Sequence, residues 1–199
     1  VRNAVEAANA ARSWGSSTAH LRAQILYYLG ENLSIRKDEF AKRIISMTGE
    51  KKKSAEREVE LSIDRLFTYA AWADKYDGAA HGAPIRGVAL AMNEPVGAIG
   101  IICPDEAPLL GLVSLIAPAL AMGNTVVAIP SEPYPLSATD LYQVFETSDL
   151  PAGVVNLITA SHEEVGKTLA GHMDLDAIWY FGSSGLTEEI ERASATNLK

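Results

Sequence analysis

Apolar side chains recur at steps of three and four residues through the first part of the chain, which is the period of a helix with one buried face. The repeat begins at Val5 and continues to Leu33. Ser17 or Thr18 precedes a helix that begins near His20, and both are side chains of the type that caps a helix N-terminus. The opening segment therefore predicts amphipathic helices.

The same period predicts two more helices downstream, at residues 36–47 and 54–74. Gly49 follows the first of them and suits a left-handed C-cap, because glycine has no Cβ to oppose a positive φ. Glycines and a proline then interrupt the pattern, which predicts a loop at 77–87. Residues 1–77 thus form a helical part of the chain.

The pattern changes after Val88, where short apolar runs alternate with helical segments. This alternation is typical of an α/β fold with an open, doubly wound parallel sheet and helices on both faces. The helices that precede the first strand are expected to pack on the sheet or at a subunit contact. The predicted strands are 98–103, 125–129, 153–158 and 177–181, and the predicted helices are 109–122, 137–147, 163–170 and 186–195.

Ligands of such sheets bind at the carboxyl ends of the strands, where loops and helix N-termini gather. None of these loops contains the Gly-x-Gly-x-x-Gly fingerprint of dinucleotide binding. Gly182-Ser183-Ser184 either offers amides and hydroxyls to a phosphate or only caps the last helix, and the pattern alone favours the cap. We call the four loops the crest loops; they are residues 104–108, 130–132, 159–162 and 182–184.

The composition is that of a globular protein with an acidic surface. Of 199 residues, 48% are hydrophobic, and 17 Lys plus Arg against 25 Asp plus Glu give a net charge of -8. Nucleic-acid binding is not expected, because it needs clustered positive charge, and the basic residues 51–53 are interpreted as a solvated turn. The longest apolar run, 109–122, contains a proline and is shorter than a membrane span. We expect a soluble, cytosolic protein without a signal peptide.

Cys103 is the single cysteine of the sequence, so an intramolecular disulfide is ruled out. The four histidines lack the spacing of metal ligands, and no metal site is predicted. Cys103 ends the first strand of the predicted sheet, where it is either a nucleophile or a small buried apolar residue. The buried interpretation is favoured, because no partner base stands at the spacing that activation requires.

Six segments, in order and at suitable spacing, resemble motifs of the aldehyde dehydrogenases. They read Glu-Pro-Val-Gly at 94–97, Ala-Pro-Ala-Leu-Ala-Met-Gly-Asn-Thr-Val-Val at 117–127, Pro-Ser-Glu followed by Pro-Leu-Ser-Ala within 130–138, Leu-Pro-Ala-Gly-Val-Val-Asn at 150–156, Tyr-Phe-Gly-Ser-Ser at 180–184 and Asn-Leu-Lys at 197–199. The resemblance covers essentially the whole chain. It implies a Rossmann-like NAD-binding domain, with residues 94–199 as its αβ part.

In that family the NAD-binding domain accompanies a catalytic domain and an oligomerisation strand. A cysteine of the catalytic domain attacks the aldehyde, the hemithioacetal passes hydride to the nicotinamide, a glutamate activates water, and an asparagine amide helps to hold the oxyanion. The 199 residues include no counterpart of the Glu-Leu-Gly-Gly segment or of the catalytic cysteine. We therefore expect the catalytic domain to be absent from this chain, and the chain alone not to oxidise an aldehyde.

The first crest loop departs from the family pattern. Where the family reads Pro-Trp-Asn-x-Pro, residues 104–108 read Pro-Asp-Glu-Ala-Pro, so Glu106 replaces the oxyanion-holding asparagine. A carboxylate repels a developing oxyanion, and loss of one such donor costs about 3–4 kcal/mol of transition-state stabilisation. Glu106 as a general base is a speculative alternative, and Asp105 and Glu106 together are interpreted as solvated acids.

The cofactor loop departs as well. Ile129 replaces the family's lysine, and His162 stands where a glycine is expected beside the adenine. Phe181 replaces the threonine before Gly182. The resemblance implies NAD as the cofactor, and these substitutions are expected to weaken its binding. The cofactor contacts that remain candidates are Pro104, Ser131, Glu132, Gly182 and Ser183.

Pro-Asp-Glu-Ala-Pro and the altered cofactor loop resemble the second, partial aldehyde-dehydrogenase-like region of family 16 aldehyde dehydrogenases. Three hypotheses follow. The chain is a non-catalytic scaffold or assembly module whose partner is another protein, the dehydrogenase domain of its own parent chain or a second copy. It is the cofactor-binding half of an active NAD-dependent enzyme, in which Glu132, Gly182 and Ser183 contact NAD. Or its crest loops bind a protein or another small molecule. The altered residues favour the first hypothesis.

Overall fold

The computed structural model describes residues 1–76 and 78–197. The helices are α1 (Arg2–Ala10), α2 (Ala19–Ile35), α3 (Lys37–Thr48), α4 (Lys52–Ala73), α5 (Pro108–Ala121), α6 (Leu136–Thr147), α7 (His162–Ala170) and α8 (Thr187–Ser194), with 3-10 turns at Arg12–Ser16, Ser184–Leu186 and Ala195–Asn197. The strands are β1 (Ala79–His81), β2 (Ala89–Ala91), β3 (Ala98–Ile102), β4 (Thr125–Ile129), β5 (Val155–Leu157) and β6 (Ala177–Tyr180). The motif likeness at Leu198 and Lys199 lies outside the described residues.

Strands β3 to β6 form one parallel sheet in the order β5-β4-β3-β6. The central strands β3 and β4 are buried along their whole length. Parallel strands need crossover connections, and α5, α6 and α7 supply them. The predicted α/β fold with a doubly wound parallel sheet is confirmed.

Alternate residues of the central strands enter different cores, because successive side chains of a strand point to opposite faces. In β3, Ile99 and Ile101 belong to the core that includes α2, α4, α5 and α6. Ala98 and Ile102 belong to a second core, with α1 and α7. Apolar residues on both faces of a strand give the continuous apolar runs that predicted these strands.

The opening helices lie on both sides of the sheet. Helix α1 contacts β3, β4 and β5, whereas α2 and α4 pack against α5 and form an outer layer over the first core. Trp14 connects the first 3-10 turn to α5. It is 3% exposed, and its Nε1 donates a hydrogen bond to the Leu120 carbonyl at 3.1 Å. Among the described residues, no helix is long and apolar enough to cross a membrane.

Two of the predicted caps are present. Thr18 Oγ1 accepts a hydrogen bond from the Leu21 N–H at 3.1 Å, and Gly49 ends α3 with a φ of 72°. The prediction of a loop over 77–87 was wrong in part, because β1 lies inside it and pairs antiparallel with β2. Three small residues of β1 show no hydrophobic period, and the flanking glycines indicated only a turn.

Candidate cofactor site

The crest loops lie at the carboxyl ends of the four parallel strands, as the sheet topology requires. The first loop follows β3, the second follows β4, the third precedes α7, and the fourth follows β6. Pro104 is half-buried at the start of the first loop. Hydrogen bonds link the first, second and third loops to one another.

Glu132 binds the N-terminus of α7. Its Oε2 accepts a hydrogen bond from the His162 backbone N–H at 2.8 Å. The residue in the N-cap position of α7, Ser161, makes no side-chain capping bond, so Glu132 acts as the cap from a neighbouring loop. The carboxylate that was predicted to face a ribose is therefore hydrogen-bonded within the protein.

The His162 side chain is buried between the second and third crest loops. Only 7% of the residue is exposed, and its Nε2 lies 2.8 Å from the Pro130 carbonyl oxygen. A carbonyl oxygen only accepts hydrogen bonds, so Nε2 carries the proton and donates it. That this ring takes the space of a glycine beside the adenine stays a prediction.

Asp105 ties the first crest loop to the second. Its Oδ1 accepts a hydrogen bond from the Glu132 N–H at 2.9 Å, and its carbonyl accepts one from Ser131 Oγ at 3.4 Å. Ser131 is buried and also accepts a hydrogen bond from the Tyr134 N–H at 3.3 Å. The interpretation of Asp105 as a merely solvated acid was therefore wrong.

Glu106 is exposed beside an acidic depression of about 450 Å³. Glu50 and Asp105 line the same depression, together with Pro108 and Tyr134. Three carboxylates around one space produce a negative potential, which disfavours anions such as the diphosphate of a dinucleotide. Ile129 is fully buried in the second core and offers no donor to a ligand.

Glu58 supports the first crest loop from below. This residue of α4 is 6% exposed, and its Oε1 accepts hydrogen bonds from the N–H groups of Leu109 at 2.8 Å and Leu110 at 3.2 Å. It thus caps α5, whose own N-cap residue, Ala107, makes no side-chain cap and has a φ of 49°. Burial raises the pKa of the Glu58 carboxyl, although the two backbone N–H groups act in the opposite direction.

The fourth crest loop is folded onto the end of β6. The Tyr180 hydroxyl donates a hydrogen bond to the Ser183 carbonyl at 2.7 Å, and a Cβ at Gly182 would lie 2.7 Å from that hydroxyl oxygen. The Ser183 side chain makes no capping bond, and α8 begins only at Thr187, after a 3-10 turn. Ser183 therefore does not cap the last helix with its side chain, although the sequence pattern had predicted a cap.

Cys103 is fully buried, and burial raises the pKa of its thiol to about 12. At neutral pH the group is therefore a thiol and not the thiolate that nucleophilic attack requires. The interpretation of Cys103 as a small buried residue is confirmed.

The structure brings together some of the candidate residues and not others. Ser131, Glu132 and His162 lie in one hydrogen-bonded network, whereas the Ser183 carbonyl is bonded to the hydroxyl of the nearby Tyr180. Sequence reasoning missed three residues. Glu58 was detectable, since it stands on the buried face of α4 beside Val59, whereas the roles of Asp105 and Tyr180 depend on contacts between loops or across a turn.

A sequence model of the aldehyde dehydrogenase family matches residues 1–199. The chain belongs to the aldehyde dehydrogenase family. An aldehyde dehydrogenase of Agaricus bisporus is 33% identical over 201 residues, which cover 98% of this chain and 40% of the relative. The enzyme called aldehyde dehydrogenase, cytosolic 1, of Elephantulus edwardii is 31% identical over 205 residues, which cover 100% of this chain and 40% of the relative.

Solved aldehyde dehydrogenase structures have the same fold. Betaine aldehyde dehydrogenase from Staphylococcus aureus, in complex with NAD+, matches with a TM-score of 0.94 at 28% identity, over 98% of this chain and 40% of that chain. PnpE from Pseudomonas sp. WBC-3 matches with a TM-score of 0.95 at 29% identity, over 98% of this chain and 41% of that one. The chain spans about 40% of the length of these aldehyde dehydrogenases.

Members of the aldehyde dehydrogenase family oxidise aldehydes with NAD, and several crest-loop residues of this chain depart from the family pattern for that cofactor. Glu132 is exposed and its Oε2 accepts the His162 N–H, and the His162 ring is buried against the Pro130 carbonyl. Ile129 supplies no hydrogen-bond donor, and the carboxylate of Glu106 adds negative charge. These departures are therefore concentrated in the first three crest loops.

Proposed function

We propose that the chain is a non-catalytic aldehyde dehydrogenase domain that serves as a structural and assembly module of a larger aldehyde-dehydrogenase-like protein. The Pro-Asp-Glu-Ala-Pro segment at 104–108, which resembles the second, partial region of family 16, supports this type of function. Its partner is a second copy of the chain or the dehydrogenase domain of its parent protein.

The non-catalytic part of the proposal is carried by the first crest loop. Glu106 stands where the family has the asparagine that donates to an oxyanion, and Glu50 and Asp105 line the same depression. Carboxylates at this place oppose a developing negative charge instead of stabilising it. Cys103 does not supply a substitute nucleophile, because burial holds its thiol in the protonated form.

The assembly part is carried by the segment from β1 to Val96, which we call the arm (79–96). It contains a sheet of only two strands, and both are nearly fully exposed. A two-stranded hairpin is marginal by itself, and its open edges and apolar side chains invite pairing with another chain. The large apolar side chains of the arm that are more than half exposed are Ile85, Val88, Leu90, Met92 and Val96.

The assembly role predicts a mass that depends on the arm. Wild-type chain is expected to form a dimer or a larger assembly of its 21.3 kDa protomer, and Leu90→Asp with Met92→Asp is expected to yield monomers, because a charge on the buried face of an interface is costly. Size-exclusion chromatography with light scattering measures this mass. The control is Ile35→Asp, at a side chain of α2 that is 82% exposed, which should leave the mass unchanged.

Two results would contradict the assembly role of the arm. One is a wild-type chain that is monomeric at every concentration tested and also fails to bind the dehydrogenase domain of its parent protein. The other is a double variant that keeps the wild-type mass.

A second candidate function is the cofactor-binding half of an active aldehyde dehydrogenase. The retention of Glu132, Gly182 and Ser183 at the expected crest positions favours it. It requires the exposed Glu132 carboxylate to accept ribose hydroxyls beside the His162 N–H, which its two oxygens allow, and it predicts that NAD stabilises the chain.

A further inference from the structure

We propose that His162 is the specificity-determining residue that excludes the adenosine ribose from the second and third crest loops. This inference rests on the proposed non-catalytic function and deepens it, since it assigns the loss of cofactor binding to one side chain and the network that this side chain completes.

The position of Glu132 in the sheet matches that of a ribose-binding carboxylate. In a doubly wound sheet a carboxylate near the end of the second strand holds the hydroxyls of the adenosine ribose. Here β4 is the second strand of the parallel sheet, and Glu132 follows its end by three residues. The carboxylate has the right position for a ribose: Glu132 is exposed, and its Oε2 accepts the His162 backbone N–H at 2.8 Å, a bond that any residue except proline would supply at position 162.

The ring of His162 holds this arrangement in place. Its Nε2 donates to the Pro130 carbonyl at 2.8 Å, and Pro130 is the first residue after β4. His162 is therefore bonded to the second crest loop twice, through its ring to Pro130 and through its backbone N–H to Glu132. Because the ring is buried in this position, a ribose that enters the space beside Glu132 must displace the ring from its bond to Pro130.

Asp105 closes the network on the opposite side. Its Oδ1 accepts the Glu132 N–H at 2.9 Å, so the backbone and the carboxylate of Glu132 are both fixed. The three loops are held together by groups of the protein that satisfy one another. A ligand that moves these loops breaks protein hydrogen bonds, and this cost reduces its affinity.

The test is calorimetric titration of ADP-ribose into the wild-type chain and four variants, each first shown by circular dichroism and a cooperative melt to be folded. His162→Gly removes the ring and is expected to bind ADP-ribose at least tenfold more tightly than wild type. His162→Ser does the same with a smaller loss of helix stability. Glu132→Gln in the His162→Gly background should abolish the gain, and His172→Gly, the same substitution just beyond the other end of α7, should produce none.

Each other result overturns the inference. Folded His162→Gly and His162→Ser proteins that bind no better than wild type would show that the ring is not what excludes the ligand. A gain that survives Glu132→Gln would place the ligand elsewhere, and wild-type binding as tight as that of His162→Gly would remove the exclusion itself. A change in assembly mass with the arm variants bears only on the proposed function, so the two failures are distinguishable.

Discussion

Replacing Glu58 by alanine is expected to lower the free energy of unfolding by about 2–3 kcal/mol, since hydrogen bonds to a charged group contribute about 1.5–3 kcal/mol. The carboxylate is the acceptor for the Leu109 and Leu110 N–H groups at the start of α5. Without it, these buried donors lose their partner and the helix loses a negative charge at its N-terminus. Urea unfolding monitored by circular dichroism measures the change.

Glu58→Gln is the matched control, because it keeps a side-chain oxygen and removes the charge. It is expected to cost about 1 kcal/mol or less at neutral pH. Two variants that both lie within about 0.5 kcal/mol of wild type would show that the α5 N-terminus does not depend on this cap.

Glu58 also gives the stability a defined pH dependence. Burial raises the pKa of its carboxyl, so the folded chain binds the proton more tightly than the unfolded chain, in which a glutamate has a pKa of about 4.3. The stability that this tighter binding contributes is fully present below the unfolded pKa and is lost as the pH rises through the raised value. The free energy of unfolding of wild type minus that of Glu58→Gln should therefore fall as the pH rises above the unfolded pKa.

Gly97→Ala is expected to cost about 3 kcal/mol, the sum of backbone strain and overpacking. Gly97 has a φ of 129°, which L side chains rarely adopt, and a Cβ there would overlap the Asp176 carboxylate. The Asp176 carboxylate holds the start of β3, because its Oδ2 accepts a hydrogen bond from the Ala98 N–H at 2.8 Å and forms an ion pair with Arg12. The substitution therefore pushes the start of β3 away from the loop before β6.

Gly185→Ala serves as the control for Gly97→Ala. A Cβ at Gly185 meets nothing within 4 Å, and the expected change is within about 0.5 kcal/mol. Thermal and urea unfolding of the two variants give the comparison. Equal stabilities would refute the close approach of Gly97 to Asp176.

The regular part of the fold was predictable from local signals. Strand β4 has the predicted bounds, and α5 differs from its prediction by one residue at each end, because long apolar runs between glycines and prolines admit few other structures. β1 was missed, since Ala79, Ala80 and His81 carry no period and pair only because β2 returns beside them.

The position of the candidate site was predictable from the sequence, but the hydrogen bonds between its residues were not. The topology placed Glu132 and His162 at neighbouring loops, and the unusual identity of His162 was visible in the sequence. Their mutual bonds were not, because the Glu132 carboxylate had two chemically reasonable acceptor roles, a ribose hydroxyl or a helix N-terminus. Only the distance between the two loops decides which role is filled. Asp105 shows the same limit, since a solvated acid and a loop clamp have the same sequence.

Thermal unfolding of the wild-type chain with and without millimolar NAD tests directly whether this aldehyde dehydrogenase domain has lost its cofactor. A one-site ligand at about 100 times its dissociation constant stabilises a protein by about 2.7 kcal/mol, or a few degrees for a domain of this size. We expect a cooperative transition, and we expect its midpoint temperature to be the same with and without NAD. A rise of several degrees that Glu132→Gln abolishes would contradict this expectation and would favour the cofactor-binding half of an active enzyme.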